Sequence, residues 1–266
     1  MKVSAFIENT VFSKGLEAEH GLSLLLETDG EQLLMDCGQT DAFLRNIRRM
    51  HRSLADIACT VISHGHYDHT GGLSKMLELA PEMPVYLSQY ALDPKFRAGN
   101  YVGQPKSNLG GKYRIVDEPT VQITENVFIL SEIERYFPVD TAIAGFATVR
   151  NGTEQDDDFA DEIAIAVKYS GGLAVISGCS HSGATNIIET AQQRMQMPVT
   201  AFIGGLHLRD KIEGAQFDHI VQYFNNSSLR HIVTGHCTGI HSFADLRHLC
   251  SARVEYLSTG TTVEII

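Results

Sequence analysis

The stretch Ser63-His64-Gly65-His66-Tyr67-Asp68-His69-Thr70-Gly71-Gly72 decides how this sequence folds and what chemistry it can carry. It places three imidazoles and one carboxylate within six residues, directly after the apolar segment Ala58–Ser63, which reads as a buried strand. Imidazole and carboxylate groups are ordinary zinc ligands. Burying four such groups against a strand brings no structural benefit unless they have a partner. The stretch therefore predicts a metal site where a strand ends.

The spacing inside this stretch divides the four groups into two pairs. In a continuing strand, His64 and His66 point to the same side, so they can share one ion. Asp68 and His69 are displaced by the following turn and can serve a second ion nearby. The glycines that permit this turn and the close approach of the next helix are Gly65, Gly71 and Gly72.

These residues match a known signature. The run His64–His69 fits every fixed position of the HxHxDH motif of the metallo-β-lactamase superfamily, and Leu34–Gly38 fits its upstream strand that ends in Asp-x-Gly. The chain thus resembles that superfamily. The resemblance implies that Asp36 supports the loop or a ligand histidine through a hydrogen bond.

The rest of the chain alternates short strands with helices. The predicted strands are Val3–Glu8, Leu22–Thr28, Gln32–Asp36, Ala58–Ser63, Val85–Leu87, Ile163–Lys168, Leu173–Ser177, Val199–Ile203, Ile232–Thr234, Val254–Leu257 and Thr262–Ile265. The predicted helices cover residues 40–50, Leu73–Leu79, Ala184–Met195, Ala215–Asn225 and Ser242–Leu249. Asp29-Gly30 is a strong hairpin turn, and Ala91–Glu125 is expected to be a long polar surface loop.

This pattern predicts an α/β fold, the four-layer αββα sandwich of the metallo-β-lactamase fold, with two mixed sheets flanked by helices. Two strand-rich halves, each followed by helices, are the basis for that prediction. With 266 residues and 43% hydrophobic content, the chain can bury one substantial core. We therefore expect residues 1–266 to form a single domain.

Further ligands are expected at later strand ends. The superfamily usually has another histidine after the first motif, but the sequence contains none between His69 and His181. His181 is therefore the candidate replacement. Cys179 stands where the superfamily has a bridging aspartate, and it is either a thiolate ligand or a small core residue. His236 follows a late strand and matches the last ligand of the superfamily.

His207 lies in the run Gly204–Leu208, again after an apolar strand. It is a metal ligand, a contact to the substrate or a buried core histidine, and the pattern leaves these alternatives open. As a catalytic residue it would donate a hydrogen bond to an oxyanion or a substrate phosphate. The histidines without such a strand-end context are expected on the surface or in caps: His20, His51, His219, His231, His241 and His248.

The order of the motifs along the chain makes the resemblance more specific, to one branch of the superfamily. After Asp36-Cys37-Gly38 and the histidine stretch come Asp161-Glu162, Gly178–His181, Gly204–Leu208 and Gly235–Gly239. This order is similar to the branch that includes the archaeal dihydropterin–ribofuranosylaminobenzene phosphate synthase of methanopterin biosynthesis, together with bacterial relatives called metal-dependent hydrolases. The resemblance does not transfer the synthase reaction.

The resemblance implies a metal-dependent hydrolase with two divalent metal ions, zinc foremost, with manganese or iron as alternatives. Two adjacent cations lower the pKa of a water between them from about 15.7 toward about 7, which makes it a hydroxide nucleophile. Asp68 would anchor one ion and orient this nucleophile. A small phosphorylated substrate is expected, a phosphoester or pyrophosphate related to pterin or phosphoribosyl compounds.

Charge and composition restrict the partners. The formal net charge is -11, so the surface repels phosphate backbones and anionic membranes. No apolar run approaches the length of about 20 residues needed to span a bilayer, and residues 1–10 lack the apolar core of a signal peptide. Five cysteines without a CxxC pair indicate reduced thiols. We expect a cytoplasmic protein that acts on a small molecule, binds no nucleic acid or membrane, and works alone or as a homo-oligomer.

Two other functions are compatible with the same pattern. One is a di-iron redox protein of this fold, which metal analysis and an absorption spectrum would reveal. The other is a non-catalytic protein that binds a ligand through its metal.

Among the remaining charged residues, the run Asp156–Asp158 is expected in a solvated loop. The basic residues of the predicted surface loop are expected there too, with anion binding as their alternative: Lys95, Arg97, Lys106, Lys112 and Arg114.

Overall fold

The computed structural model describes residues 1–105, 113–209 and 211–266. These residues form two compact units. The first consists of Met1–Asp117, Ile143–Glu162 and Ser258–Glu264, and the second of Glu118–Ala142, Ile163–Leu257 and Ile265–Ile266. The expectation that residues 1–266 form a single domain remains a prediction.

The described part of the chain alternates strands and helices along its length. In chain order its strands are β1 (Lys2–Ile7), β2 (Ser23–Thr28), β3 (Glu31–Met35), β4 (Cys59–Val61), β5 (Val85–Leu87), β6 (Lys95–Arg97), β7 (Asn100–Tyr101), β8 (Tyr113–Ile115), β9 (Thr120–Gln122), β10 (Val127–Leu130), β11 (Phe146–Arg150), β12 (Thr153–Asp156), β13 (Ala164–Tyr169), β14 (Gly172–Ile176), β15 (Val199–Ile203), β16 (His231–Thr234), β17 (Arg253–Tyr256) and β18 (Thr262–Glu264). Its α-helices are α1 (Ala42–Arg49), α2 (Tyr67–Thr70), α3 (Leu73–Leu79), α4 (Ala184–Met195), α5 (Ala215–Asn226) and α6 (Ile240–Leu249). Short 3₁₀ turns cover Leu54–Asp56, Gln89–Leu92, Pro138–Asp140 and His236–Thr238.

The first unit contains a sheet of seven strands in the order β18-β1-β2-β3-β4-β5-β8. The turn between β2 and β3 has positive φ at both Asp29 and Gly30, 52° and 82°, which is the hairpin turn that this dipeptide predicts. From β3 onward the neighbouring strands run parallel. The residues that follow β3, β4 and β5 therefore meet at one edge of this sheet.

A second, four-stranded sheet of the first unit has the order β12-β11-β6-β7. The segment Ala91–Glu125 was expected to be a surface loop, and this prediction is wrong, because four strands, β6 to β9, begin within it. These strands are two or three residues long. β6 pairs with β11, about fifty residues later in the sequence, so tertiary pairing stabilises what the local pattern does not show.

The sheet of the second unit has the order β17-β16-β15-β14-β13-β10-β9. β14, β15, β16 and β17 run parallel, and α4 packs on this sheet through Ile187 and Ile188 in a core that includes Val175 and Phe202. The predicted bounds of α4 and β15 agree with the structure. β10, β11 and β12 were not predicted.

None of the helices in the described ranges has the length and apolar content needed to cross a bilayer.

Candidate metal centre

The histidine stretch begins where β4 ends in the first unit. All four of its ligand-type side chains, His64, His66, Asp68 and His69, are buried. The strand does not continue to His66 as expected, since β4 ends at Val61. The first two histidines nevertheless face each other, with 3.1 Å between His64 Nε2 and His66 Nδ1.

That separation suits two ligands of one ion. Two nitrogens at 2.0–2.1 Å from a tetrahedral zinc lie about 3.3 Å from each other. The His64 and His66 rings are nearly perpendicular, 73° apart, with centroids 4.6 Å apart. The spacing and the imidazole chemistry of this pair therefore fit a divalent transition metal.

Asp36 lies at the end of β3, beside the end of β4, and its carboxylate is completely buried. Its Oδ1 accepts from Ser63 N at 2.7 Å, and its Oδ2 accepts from Ser63 Oγ and lies 2.7 Å from His69 Nδ1. This is the contact to the loop and to a histidine that the resemblance implies for Asp36. Its support of a bound metal remains a prediction.

His64 is oriented in a similar way. Its Nδ1 lies 2.9 Å from Ser63 Oγ, and Nδ1 of His69 is engaged by Asp36. Histidines that bind a metal usually have the other ring nitrogen held by a neighbouring group. In both residues, Nε2 is thus the ring nitrogen that would bind an ion.

The glycines of the stretch serve close approach rather than an unusual backbone conformation. Gly71 and Gly72 have ordinary helical dihedral angles. A Cβ at Gly71 would overlap the carbonyl oxygen of Gln39, and one at Gly72 would overlap that of Cys37. The predicted approach of the chain is therefore observed, and it joins the histidine stretch to the segment that follows Asp36.

His20 belongs to this group, although the sequence pattern placed it on the surface. Its side chain is 54% exposed, but Nε2 lies 3.3 Å from Asp68 Oδ2. The next residues also contact Asp68, because Leu22 N donates to Asp68 O at 3.1 Å. The pairing of β2 with β3 in the predicted hairpin could have indicated this position of His20. Leu24 pairs with Met35, so His20, just before β2, lies at the edge where Asp36 follows β3.

The basic and acidic residues that were expected in solvated loops include a buried ion cluster. Lys95 is completely buried, and its Nζ donates to Asp157 Oδ2 at 2.8 Å and to Asp161 Oδ1 at 2.9 Å. The prediction of solvation is wrong for Lys95 and Asp157, because each obtains a charged partner that compensates its burial. Burial lowers the pKa of Lys95, but the two carboxylates outweigh it and leave that pKa raised. Arg97 and Arg114 are exposed, and Lys106 and Lys112 lie outside the described residues.

In the second unit, four further candidates follow parallel strands. Cys179 and His181 come after β14, His207 after β15, and His236 after β16, and all four are buried. The carboxyl ends of parallel strands meet at one edge of a sheet. In agreement, the rings of His181 and His207 have centroids 4.2 Å apart. His181 Nδ1 lies 3.1 Å from the Ala142 carbonyl oxygen, so Nε2 is again the ring nitrogen that would bind an ion.

The backbone of these loops is strained. Non-glycine residues rarely adopt a positive φ, and such residues cluster at functional sites. Four of them occur in the three loops, with φ between 47° and 58°: Ser180, His207, Arg209 and His236. Strain at His207 and His236 is consistent with the strand-end role predicted for them.

Arg209 was not singled out from the sequence. It is exposed, and its Nη2 lies 3.2 Å from His207 Nε2, while its backbone N–H donates to Cys237 O at 2.9 Å. A guanidinium beside His207 provides a positive charge for an anion. The signal in the sequence was its position two residues after a strand-end histidine.

Ligand-type residues that could hold a metal therefore occur in both units. They are His20, His64, Asp68 and His69 in the first unit and Cys179, His181 and His236 in the second. Imidazole, thiolate and carboxylate together form a donor set that suits zinc, and imidazole and carboxylate also suit manganese or iron. The residues present thus fit the metal that the fold implies.

Comparison with known proteins shows what this chain is similar to. A family model described as anti-Pycsar protein Apyc1 matches residues 11–80, which include Asp36 and the histidine stretch. The chain is 28% identical to the 7,8-dihydropterin-6-methyl-4-(beta-D-ribofuranosyl)-aminobenzene-5'-phosphate synthase of Methanocaldococcus jannaschii, over 84% of this chain and 82% of the relative. It is also 28% identical to the uncharacterized protein MJ0448 of the same organism, over 93% and 94% of the two chains. The crystal structure of Tm1679, described as a metal-dependent hydrolase of the beta-lactamase superfamily, has a TM-score of 0.89 and 29% identity to this chain, covering 100% of this chain and 99% of that one.

The chain has the αββα fold of the metallo-β-lactamase superfamily, as the sequence predicts, and it is similar in sequence and structure to members of that superfamily. Within the superfamily it is similar to the branch that contains the archaeal synthase and to a metal-dependent hydrolase of known structure. These similarities support an enzyme with a metal-binding site.

Proposed function

We propose that the chain is a hydrolase that holds two divalent metal ions, zinc foremost, and acts on a small phosphorylated compound. The proposed ligands are His64, His66, Asp68, His69, Cys179, His181 and His236. One observation carries the proposal. In the buried residues His64 and His69, Nδ1 is engaged by Ser63 and by Asp36, respectively. Histidines that bind a metal usually have one ring nitrogen held in this way.

The bound ions would supply Lewis acidity and lower the pKa of a water, so that hydrolysis proceeds at neutral pH. The protein supplies the orientation. Asp68 accepts a hydrogen bond from the attacking water, and its carboxylate is held on one side by His20. His207 donates a hydrogen bond to an oxygen of the substrate that gains negative charge.

Two observations support a phosphorylated substrate. Arg209 lies against His207, and an arginine recognises phosphate through several N–H groups at once. The relative from Methanocaldococcus jannaschii is named for a pterin compound that carries a 5'-phosphate. The net charge of -11 does not oppose an anionic ligand, because bound cations reverse the local potential. We propose a phosphoester or pyrophosphate related to pterin or phosphoribosyl compounds.

The remaining expectations concern location and partners. Cys37, Cys59, Cys237 and Cys250 are not joined by disulfides, and Cys37 and Cys59 are buried, which supports a reducing compartment and hence the cytoplasm. The acidic charge supports action without nucleic acid or an anionic membrane. A homo-oligomer remains compatible with the proposal.

A metal-exchange experiment tests the function. The protein is stripped with a chelator, reloaded with Zn²⁺ or Mn²⁺, and assayed on phosphomonoester, phosphodiester, pyrophosphate, thioester and lactone substrates. We expect no turnover without metal and restored turnover on the phosphorylated substrates. Turnover by the stripped protein would contradict the proposal. Iron with a visible absorption band would favour the redox alternative, and ligand binding without turnover would favour the non-catalytic one.

A variant completes this test. Asp68→Ala is expected to abolish turnover while circular dichroism and the melting temperature of the metal-free protein stay close to those of the wild type. Asp117→Ala removes an exposed carboxylate and serves as the matched control, with turnover unchanged. Full activity of Asp68→Ala would be incompatible with the proposed role of this carboxylate.

A further inference from the structure

The ion cluster of the first unit contacts the backbone of the histidine stretch. Asp161 divides its carboxylate between two partners: Oδ1 accepts from Lys95 Nζ at 2.9 Å, and Oδ2 accepts from Gly65 N at 2.7 Å. Gly65 is the residue between His64 and His66. The cluster is thus linked by one hydrogen bond to the peptide that joins the first two histidines.

The position of Gly65 is also restricted from the other side. A Cβ at this residue would overlap the carbonyl oxygen of Ala91 and come within 3.0 Å of Lys95 Cε. The backbone therefore lies directly against the lysine side chain. Asp161 and Lys95 together hold Gly65 by a charge-assisted hydrogen bond and by contact.

Stability alone is a weak explanation for this cluster. Lys95 and Asp161 are completely buried, and Asp157 is nearly so. Removing three charges from water is costly, and well-packed apolar residues often stabilise a protein as much as a buried ion pair does. Buried charged groups are better explained where they determine one particular geometry.

We propose that Asp161, oriented by Lys95, is a positioning residue that holds Gly65 and thereby sets the separation of His64 Nε2 and His66 Nδ1. The inference rests on the proposed function in one respect, namely that these two histidines bind a metal. It adds that their spacing is established before any metal binds. The cluster takes no part in the hydrolytic step itself.

The chain offers a matched control for this role. Asp157 pairs with the same lysine, and its other oxygen accepts from a backbone N–H, that of Phe159, at 2.8 Å. Asn at either position presents an NH₂ group to one of its two former partners. Asp161→Asn and Asp157→Asn therefore impose the same chemical change, but only the first alters the group that accepts from Gly65 N.

The two variants are compared by metal binding rather than by turnover. Affinity for Zn²⁺ is measured by competition with a chromogenic chelator, and ligand geometry by the visible absorption of the Co²⁺-loaded protein. We expect Asp161→Asn to weaken Zn²⁺ binding about 10- to 100-fold and to change the Co²⁺ spectrum. Asp157→Asn should lower the melting temperature by a similar amount while its Zn²⁺ affinity and Co²⁺ spectrum stay close to those of the wild type.

Two results would overturn the inference without affecting the proposed function: unchanged affinity and spectrum in Asp161→Asn, or equal changes in both variants. Absence of metal uptake by the wild type would overturn both the inference and the proposed function.

A measurement on the wild type covers the case in which Asp161→Asn does not fold. Labelling with carbonyl-¹³C histidine and ¹⁵N glycine selects Gly21 and Gly65, the two glycines that follow a histidine, and His20→Ala removes the first signal. We expect the Gly65 amide of the metal-free protein to be strongly protected from hydrogen exchange, and exchange within minutes would overturn the inference.

Discussion

His69 Nδ1 lies 2.7 Å from Asp36 Oδ2, with both side chains completely buried. This contact joins the end of β3 to the histidine stretch after β4. The same carboxylate also binds the N–H and the hydroxyl of Ser63, and that hydroxyl lies 2.9 Å from His64 Nδ1. One aspartate therefore orients two of the proposed ligands, and the predictions below start from it.

Asp36→Asn is expected to weaken Zn²⁺ binding about 10- to 100-fold, because an amide cannot accept from both Ser63 and His69. The unsatisfied buried group should also lower the free energy of unfolding by about 1–3 kcal/mol. Chelator competition and urea unfolding of the metal-free protein measure the two effects. Asp117→Asn, at an exposed position, is the control, and a wild-type affinity in Asp36→Asn would contradict the proposed role.

His20→Ala is expected to lower kcat about tenfold with a smaller change in KM, because the Asp68 carboxylate loses a donor that holds its orientation. His20→Gln, which retains an N–H donor, should recover part of the loss. His248→Ala, an exposed histidine of α6, is the control. Equal kinetics in His20→Ala and the wild type would show that the contact with Asp68 has no catalytic effect.

Arg209→Ala is expected to raise KM for a phosphorylated substrate about tenfold or more and to leave kcat nearly unchanged, because a charge that binds the anion in the ground state is removed. The KM of Arg209→Lys should lie between the KM of the wild type and that of Arg209→Ala. The comparison uses one phosphorylated and one uncharged ester, with Arg247→Ala as the exposed control. A similar rise in KM for both substrates would argue against anion recognition by this residue.

Asp140 gives a pH dependence of stability with a defined sign. Burial raises the pKa of its carboxyl from 3.8 to about 6, although Thr185 donates to it from both N and Oγ1. Because the folded protein holds this proton more tightly than the unfolded chain, protonation favours the folded state. The contribution of Asp140 to stability should therefore fall as the pH rises from about 4 to about 6, by up to about 3 kcal/mol in total, and stay constant above.

Urea unfolding of the metal-free protein at several pH values checks this sign. Asp140→Asn does not titrate, so its free energy of unfolding should increase relative to that of the wild type across the same interval. The histidines contribute equally to both proteins and cancel in the difference, apart from His219, which contacts Thr185. Parallel curves for the two proteins would show that Asp140 does not carry the raised pKa.

The sequence pattern predicted those secondary-structure elements that depend on residues close to each other in the sequence. The turn at Asp29-Gly30, the helix Leu73–Leu79 and the helix Ala184–Met195 each depend on neighbouring residues in the sequence, and all three were predicted with their observed bounds. β6 was missed because it is short and pairs with β11, about fifty residues later, whereas β11 and β12 were missed although Asn151-Gly152 between them is a local hairpin signal. His20 and Arg209 were missed for a related reason, since their roles depend on the residues beside them in the folded chain.

Residue type and spacing alone predicted the αββα fold, the resemblance to the metallo-β-lactamase superfamily and the ligand-type residues, because the HxHxDH stretch and the strand-end histidines are local signals. Three features became visible only in the folded chain: Lys95 and Asp157 are buried, Asp161 reaches the backbone of Gly65, and His20 lies against Asp68. The physical reason is that a charge is solvated or paired according to what the fold places next to it. A charged residue has the same appearance in the sequence in either case.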